Sequence, residues 1–357
     1  MRFTLRRIRD AATAKSSILK TVAARVSFLS RAIVASLVAV PAAAQTTAPM
    51  SVRTHIPLPG VYGRMDHYGW DSKRGILIVS ALGNNTVEIV DEWKHVHTIA
   101  GLEHPQASVY LPGIDRIAVS SQSGKLRFYD AATYALVKTL DFGDGADTDN
   151  MRYEAASKLL YVGYGTGSNA AIASVDPVAM ERRDTFRLGS HPESFQLEVN
   201  GPRIFVNLPG QEAIAAIDRT SGAVTIWKIP GVVNSHALAF DEANHRLFTA
   251  ALQPGRFAVV DSDTGKLVAE LPAVLGVDDL WFDAARKRIY ATGAGAIDVF
   301  HQADPDHYNM LSRVDVGTGA GSTSLYLRTR TQDSLFMSWP NMLPQGGSEI
   351  LLFYVND

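Results

Sequence analysis

Seven residues, Asp66, Gln106, Asp149, Glu193, His236, Asp278 and Thr323, recur along the chain at steps of 40, 43, 44, 43, 42 and 45. The position after each holds His67, Ala107, Asn150, Ser194, Ala237, Asp279 and Ser324. Brought to one level, four carboxylates repel one another. They must then take up protons, stay hydrated or share a cation. Calcium suits several carboxylate and amide oxygens and is the first expectation. The imidazole also admits zinc, manganese or iron. Such an ion polarises a carbonyl or acidifies a water, the chemistry of metal-dependent lactone or ester hydrolysis and of some lyases. The expected ligands are Asp66, Asp149, Glu193, His236 and Asp278, with Gln106, Asn150 and Asp279 as ligand contacts. His67 is a candidate proton carrier. So are His104 in "HPQ" and His191 in "HPES", each two residues ahead of the recurring position, because imidazole titrates near neutrality. The competing expectation is a water-filled polar channel that needs no ion, with His104 and His191 capping turns before Pro105 and Pro192.

The positioning elements are strands. After each recurring position comes a short apolar strand, a turn at Asp71, Leu111, Glu154, Glu198, Asp241, Asp283 or Arg328, and then a second strand. The second strands read "RGILIVS", "DRIAVSS", "KLLYVGY", "PRIFVNL", "HRLFTAA", "KRIYATG" and "DSLFMSW". Third and fourth strands follow, as in "GRFAVVDSD" and "LVAELPA" around Thr264-Gly265-Lys266. Alternating apolar positions between Gly, Asn, Asp and Ser clusters are antiparallel hairpin signals. A repeat of this length built only of strands is an all-β propeller with seven blades of four strands. Its innermost strands begin at the mouth of the central channel, which places the recurring residues there. The last blade stops after "SEILLFYVN", and "SVRTHIPLPG" at 51–60 matches the missing outer strand. The strand 51–58 is therefore expected to close the ring and cover an open edge.

The stretches "HPQASVYLPGIDRIAVSSQSGKLRFYDAATYALVKTL" and "AVVDSDTGKLVAEL" resemble the seven-bladed YVTN, or YncE-like, propellers of secreted bacterial proteins. The resemblance spans residues 51 to 357. It implies the fold and leaves activity open, since such propellers include scaffolds, lactonase-like enzymes and subunits of assemblies. The metal site is similar to that of the more distant gluconolactonase-like propellers, which gather carboxylates and amides from several blades around one ion.

Residues 1–44 stand apart: eight Lys or Arg precede the apolar run "AIVASLVAV" and Ala42-Ala43-Ala44. That pattern reads as a secretory signal cut near Gln45, followed by a linker at 45–50 and a single domain at 51–357. The run is too short to span a bilayer, so no membrane insertion is expected after cleavage, and the location is periplasmic or secreted. Beyond residue 44 the chain keeps 26 basic and 35 acidic residues, a formal charge of −9. That balance opposes nucleic-acid binding. With no cysteine there is neither disulfide nor thiolate chemistry. "GYGTGSN" and "GTGAGS" lack the strand–helix context and lysine of a phosphate loop, and no G-x-S-x-G elbow occurs. "DSDTG" at 261–265 reads as a hairpin turn. In the loop Ser338–Glu349, Trp339, Asn341 and Met342 are candidates for a lid over a ligand. Two functions stand: an exported metal-dependent hydrolase or lyase acting on a small molecule, or a non-catalytic propeller presenting its loops to a small ligand or an envelope protein.

Overall fold

The computed structural model describes residues 48–357; the expected signal segment and the start of the linker lie outside the described residues. Among the described residues, twenty-eight strands form seven antiparallel sheets of four. Four short 3-10 turns accompany them, and no α-helix occurs among the described residues. Each innermost strand packs against the next, and the last, Ser324–Leu327, packs against the first, Tyr68–Asp71. The ring is thereby closed.

Burial explains the strand composition. Blades stack face to face, so second strands are covered on both sides and read as continuous apolar runs. Ile76–Ala81 is buried at every residue. Outer strands meet solvent, and Leu136–Asp141 is almost wholly exposed. Blades one and two approach closely at Gly69, where a Cβ would lie 2.5 Å from the Ser108 carbonyl oxygen.

The last blade is completed from the other end of the chain. Its order is Met50–Pro59, Gly347–Val355, Ser334–Trp339 and Ser324–Leu327. The closing strand is one residue longer at each end than the expected 51–58 and carries a bulge between Val52 and Thr54. Ile56 pairs with Ile350, and Ile56 and Leu58 are fully buried among Val61, Leu77, Val79, Phe336 and Leu352. One cluster therefore joins blades one and seven.

The carboxylates that end innermost strands serve the turns. Asp71 accepts backbone N–H groups from Lys73 and Arg74, and Arg74 also bridges to Asp115 of blade two. Asp283 does the same for Ala285 and Arg286, and Arg286 bridges to Asp333 of blade seven. These acids belong to structure. The ones that begin the strands do not share that work.

Candidate functional site at the channel mouth

The recurring residues are held at one level by backbone pairing. The amides of Asp66, Asp149, Glu193 and Asp278 donate to the carbonyls of Ser80, Gly163, Asn207 and Thr292 on their second strands. In blades two and five the register shifts between Pro105 and Ser108 and between Ser235 and Leu238. A bulge of this kind re-aims a side chain, here Gln106 and His236.

The ring resolves into two halves. In one, Arg64 lies 3.4 Å from Asp66 and 3.7 Å from Asp278. His67 stands between Asp66 at 3.7 Å and Asp279 at 3.4 Å. The other Asp279 oxygen accepts the Ser324 amide at 2.7 Å. His236 bridges the halves, with Nδ1 at 3.5 Å from Asp278 and 3.8 Å from Glu193.

In the other half, ligand atoms of Asp149, His191 and Glu193 all lie within 4.8 Å of one another. The Nδ1 of His191 is 2.8 Å from the Gly165 carbonyl. A carbonyl can only accept, so Nδ1 carries the proton there. The lone pair of the neutral ring is then on Nε2, 3.8 Å from Asp149 Oδ2. This is the arrangement by which metal-binding imidazoles are oriented and their tautomer fixed. Ligand atoms about 2.1 Å from one ion stand no more than roughly 4.2 Å apart, which small side-chain rotations supply. Asn150 donates to Asp149 at 3.4 Å. Gln106 donates to Asp147 at 2.9 Å and to the Thr148 carbonyl, so its amide is tied to the rim.

The electrostatics follow from burial and partners. Burial pushes the carboxyls of Asp66 and Glu193 up to about 7. Burial opposes the ionised form of Asp149 and Asp278 too, but His191 and His67 for the first, and His236, His67 and Arg64 for the second, outweigh it and hold both below the usual range. His191 works against burial as well; Asp149 and the Gly165 carbonyl raise it to about 9. Burial likewise lowers His67 and His236, and their carboxylate neighbours more than reverse it.

The sign of the pH dependence is then fixed. Groups raised in the folded state contribute stability that is present below their unfolded pKa and lost as pH rises through the folded one. For Asp66 and Glu193 that loss runs from about 4 to about 7, and for His191 from about 6.5 to about 9. The metal-free protein is expected to melt highest near pH 5 and progressively lower towards pH 9. Scanning calorimetry checks this, and Glu193→Gln should flatten the part of the fall that runs from about pH 4 to about 7.

Four of the expected residues make other contacts or none. His104 is exposed, its backbone at φ +50° with the amide donating to Asn85 Oδ1, and its side chain makes no hydrogen bond among the described residues. It shapes a turn. The Trp339 indole packs on the connection into its own blade: a Cβ at Gly319 would lie 2.8 Å from its ring. The Asn341 side chain bonds Gln345 and Leu343 within its own loop, its carbonyl accepts the Gly63 amide at 2.7 Å, and Met342 is exposed.

Sequence reasoning missed Arg64, Asp147 and Arg152. Arg64 and Asp147 occupy the same register as His104 and His191, two residues ahead of the ring, so reading that whole column would have found them. Arg152 is the one charged residue among Gly69, Val109, Gln196, Ala239, Trp281 and Tyr326 at its register. Its guanidinium donates to Ser194 and the Met151 carbonyl and forms no ion pair among the described residues. Burial lowers its pKa.

No family model matches the chain, and no curated protein matches it. Solved structures share its fold. One is a chain of a mitotic checkpoint complex, with TM-score 0.70 and 14% identity over 87% of this chain and 96% of that one. Another is a chain of hydrazine synthase from Kuenenia stuttgartiensis, with TM-score 0.61 and 14% identity over 67% of this chain and 84% of that one.

Proposed function

We propose that the chain is an exported propeller of the YVTN, or YncE-like, type that binds a divalent cation on Asp149, His191 and Glu193 and uses it on a small molecule. The observation that carries this reading is the convergence of those three residues within 4.8 Å, with the His191 tautomer set by Gly165. One imidazole and two carboxylates suit zinc, manganese or iron better than calcium, which takes oxygen ligands. A bound ion supplies Lewis acidity towards a lactone or ester carbonyl or a water. His236, 3.8 Å from Glu193 and 3.5 Å from Asp278, holds and passes a proton beside it. Arg64 and Arg152 provide positive charge for a developing oxyanion. Export rests on the basic leader and its apolar run.

A non-catalytic, ligand-binding reading is favoured by one observation. Arg64 stands between Asp66 and Asp278 and offsets half the ring without an ion, although its side chain is 56% exposed and its pairs are screened. One experiment separates the two. Chelator-stripped protein is titrated with zinc, manganese and calcium and then assayed on five-membered lactones and aryl esters. The metal reading expects one ion per chain, a raised melting temperature and metal-dependent hydrolysis that Glu193→Gln removes. Absence of stoichiometric binding leaves the ligand-binding propeller.

A further inference from the structure

The opposite face carries the turns between third and fourth strands. In blades two to six that turn opens with an aspartate, Asp130, Asp176, Asp218, Asp261 or Asp304. In each, Oδ1 accepts two backbone N–H groups of the turn. Blade one departs from this. Asp91 pairs directly with Lys94, leaving a turn of only Glu92 and Trp93, at φ +44° and +64°. Such turns belong to Asn and Gly, and a tryptophan held there is strained backbone of the kind kept at functional positions. Across this turn the Asp91 carboxylate caps nothing, whereas Asp304, which pairs with His307 across an equally short turn, accepts two N–H groups. Among the described residues it accepts no hydrogen bond and forms no ion pair, not even with Lys94.

The strained residue borders a cavity. Trp93 is 40% exposed and leans on Phe336 of blade seven, ring centroids 5.4 Å apart. The cavity between blades one and seven measures about 450 Å³ and is walled by Trp70, Trp93, Phe336 and Tyr354, with Asp91 and Glu92 at its side. Arg74 also lines it, but Asp71 and Asp115 already meet its charge. Arg53 lies over the Tyr354 ring at 5.7 Å, so the two indoles carry the recognition. Aromatic faces beside uncompensated carboxylates attract a cation with an apolar exterior. We propose that this cavity binds a trimethylammonium head group, with Trp70 and Trp93 as its π walls and Asp91 and Glu92 as counter-charge. The site is independent of the channel mouth and of any metal there.

The test titrates the full chain with choline and with its neutral isostere 3,3-dimethylbutan-1-ol, followed by tryptophan fluorescence and calorimetry. Choline should saturate, and the isostere should bind at least about tenfold more weakly. Trp93→Gly, whose backbone suits the turn, should stay folded and lose choline at least about tenfold; Asp91→Asn should weaken it too. Phosphatidylcholine vesicles sort the source. Trp93-dependent co-sedimentation assigns a lipid-borne head group, and choline binding without vesicle binding assigns a free ligand. The proposal is overturned by no saturable choline signal, by equal binding of the isostere, or by unchanged binding in folded Trp93→Gly.

Discussion

Ile56→Ala combined with Leu58→Ala should unfold the ring or bring it close to unfolding. Both side chains are fully buried in the cluster joining blades one and seven, and large-to-small changes at such sites cost about 2–5 kcal/mol each. Together they approach the roughly 5–15 kcal/mol of an ordinary domain. The closing strand has a further role: without it, Gly347–Val355 becomes an open sheet edge that pairs with other chains. Val52, on the same strand and 51% exposed, supplies the control, since Val52→Ala should change stability by no more than about 0.5 kcal/mol. Urea unfolding decides the matter. A double variant within about 1 kcal/mol of the parent would show that closure by this strand contributes little.

His191→Ala should weaken zinc or manganese affinity at least about 100-fold, because loss of mere supporting partners already costs 10–100-fold at metal sites. The fold should survive, since the side chain's one close bond is to the Gly165 carbonyl. Asp66→Asn is the informative partner. Its carboxylate faces Arg64 and His67, so affinity should change by less than about threefold. Isothermal titration separates these expectations from a ring in which all carboxylates share the ion, where Asp66→Asn and Asp278→Asn would cost as much as His191→Ala.

The fold was legible because blade stacking imposes a repeating physical demand. "ILIVSA" and "RIFVNL" are apolar without alternation for one reason, coverage on both faces. The unpaired last blade pointed to its missing strand. The site was legible by level and not by partner. Asp66, Asp149, Glu193 and Asp278 do share one backbone position, yet their grouping depends on which charges lie across the channel, and these come from loops. Arg64 sits two residues before Asp66 in sequence and draws in Asp278, more than two hundred residues away. His191 read as a proton carrier because its bond to Gly165 crosses from blade four to the turn of blade three. Trp339 read as a lid because nothing in its loop announces the glycines of another connection.

Manganese diffused into crystals of the protein, located by its anomalous scattering, tests the central claim most directly. The account predicts one dominant peak about 2.0–2.3 Å from Asp149, His191 Nε2 and Glu193. A peak among Asp66, Asp278 and His236, or none at the channel mouth at saturating manganese, would contradict it.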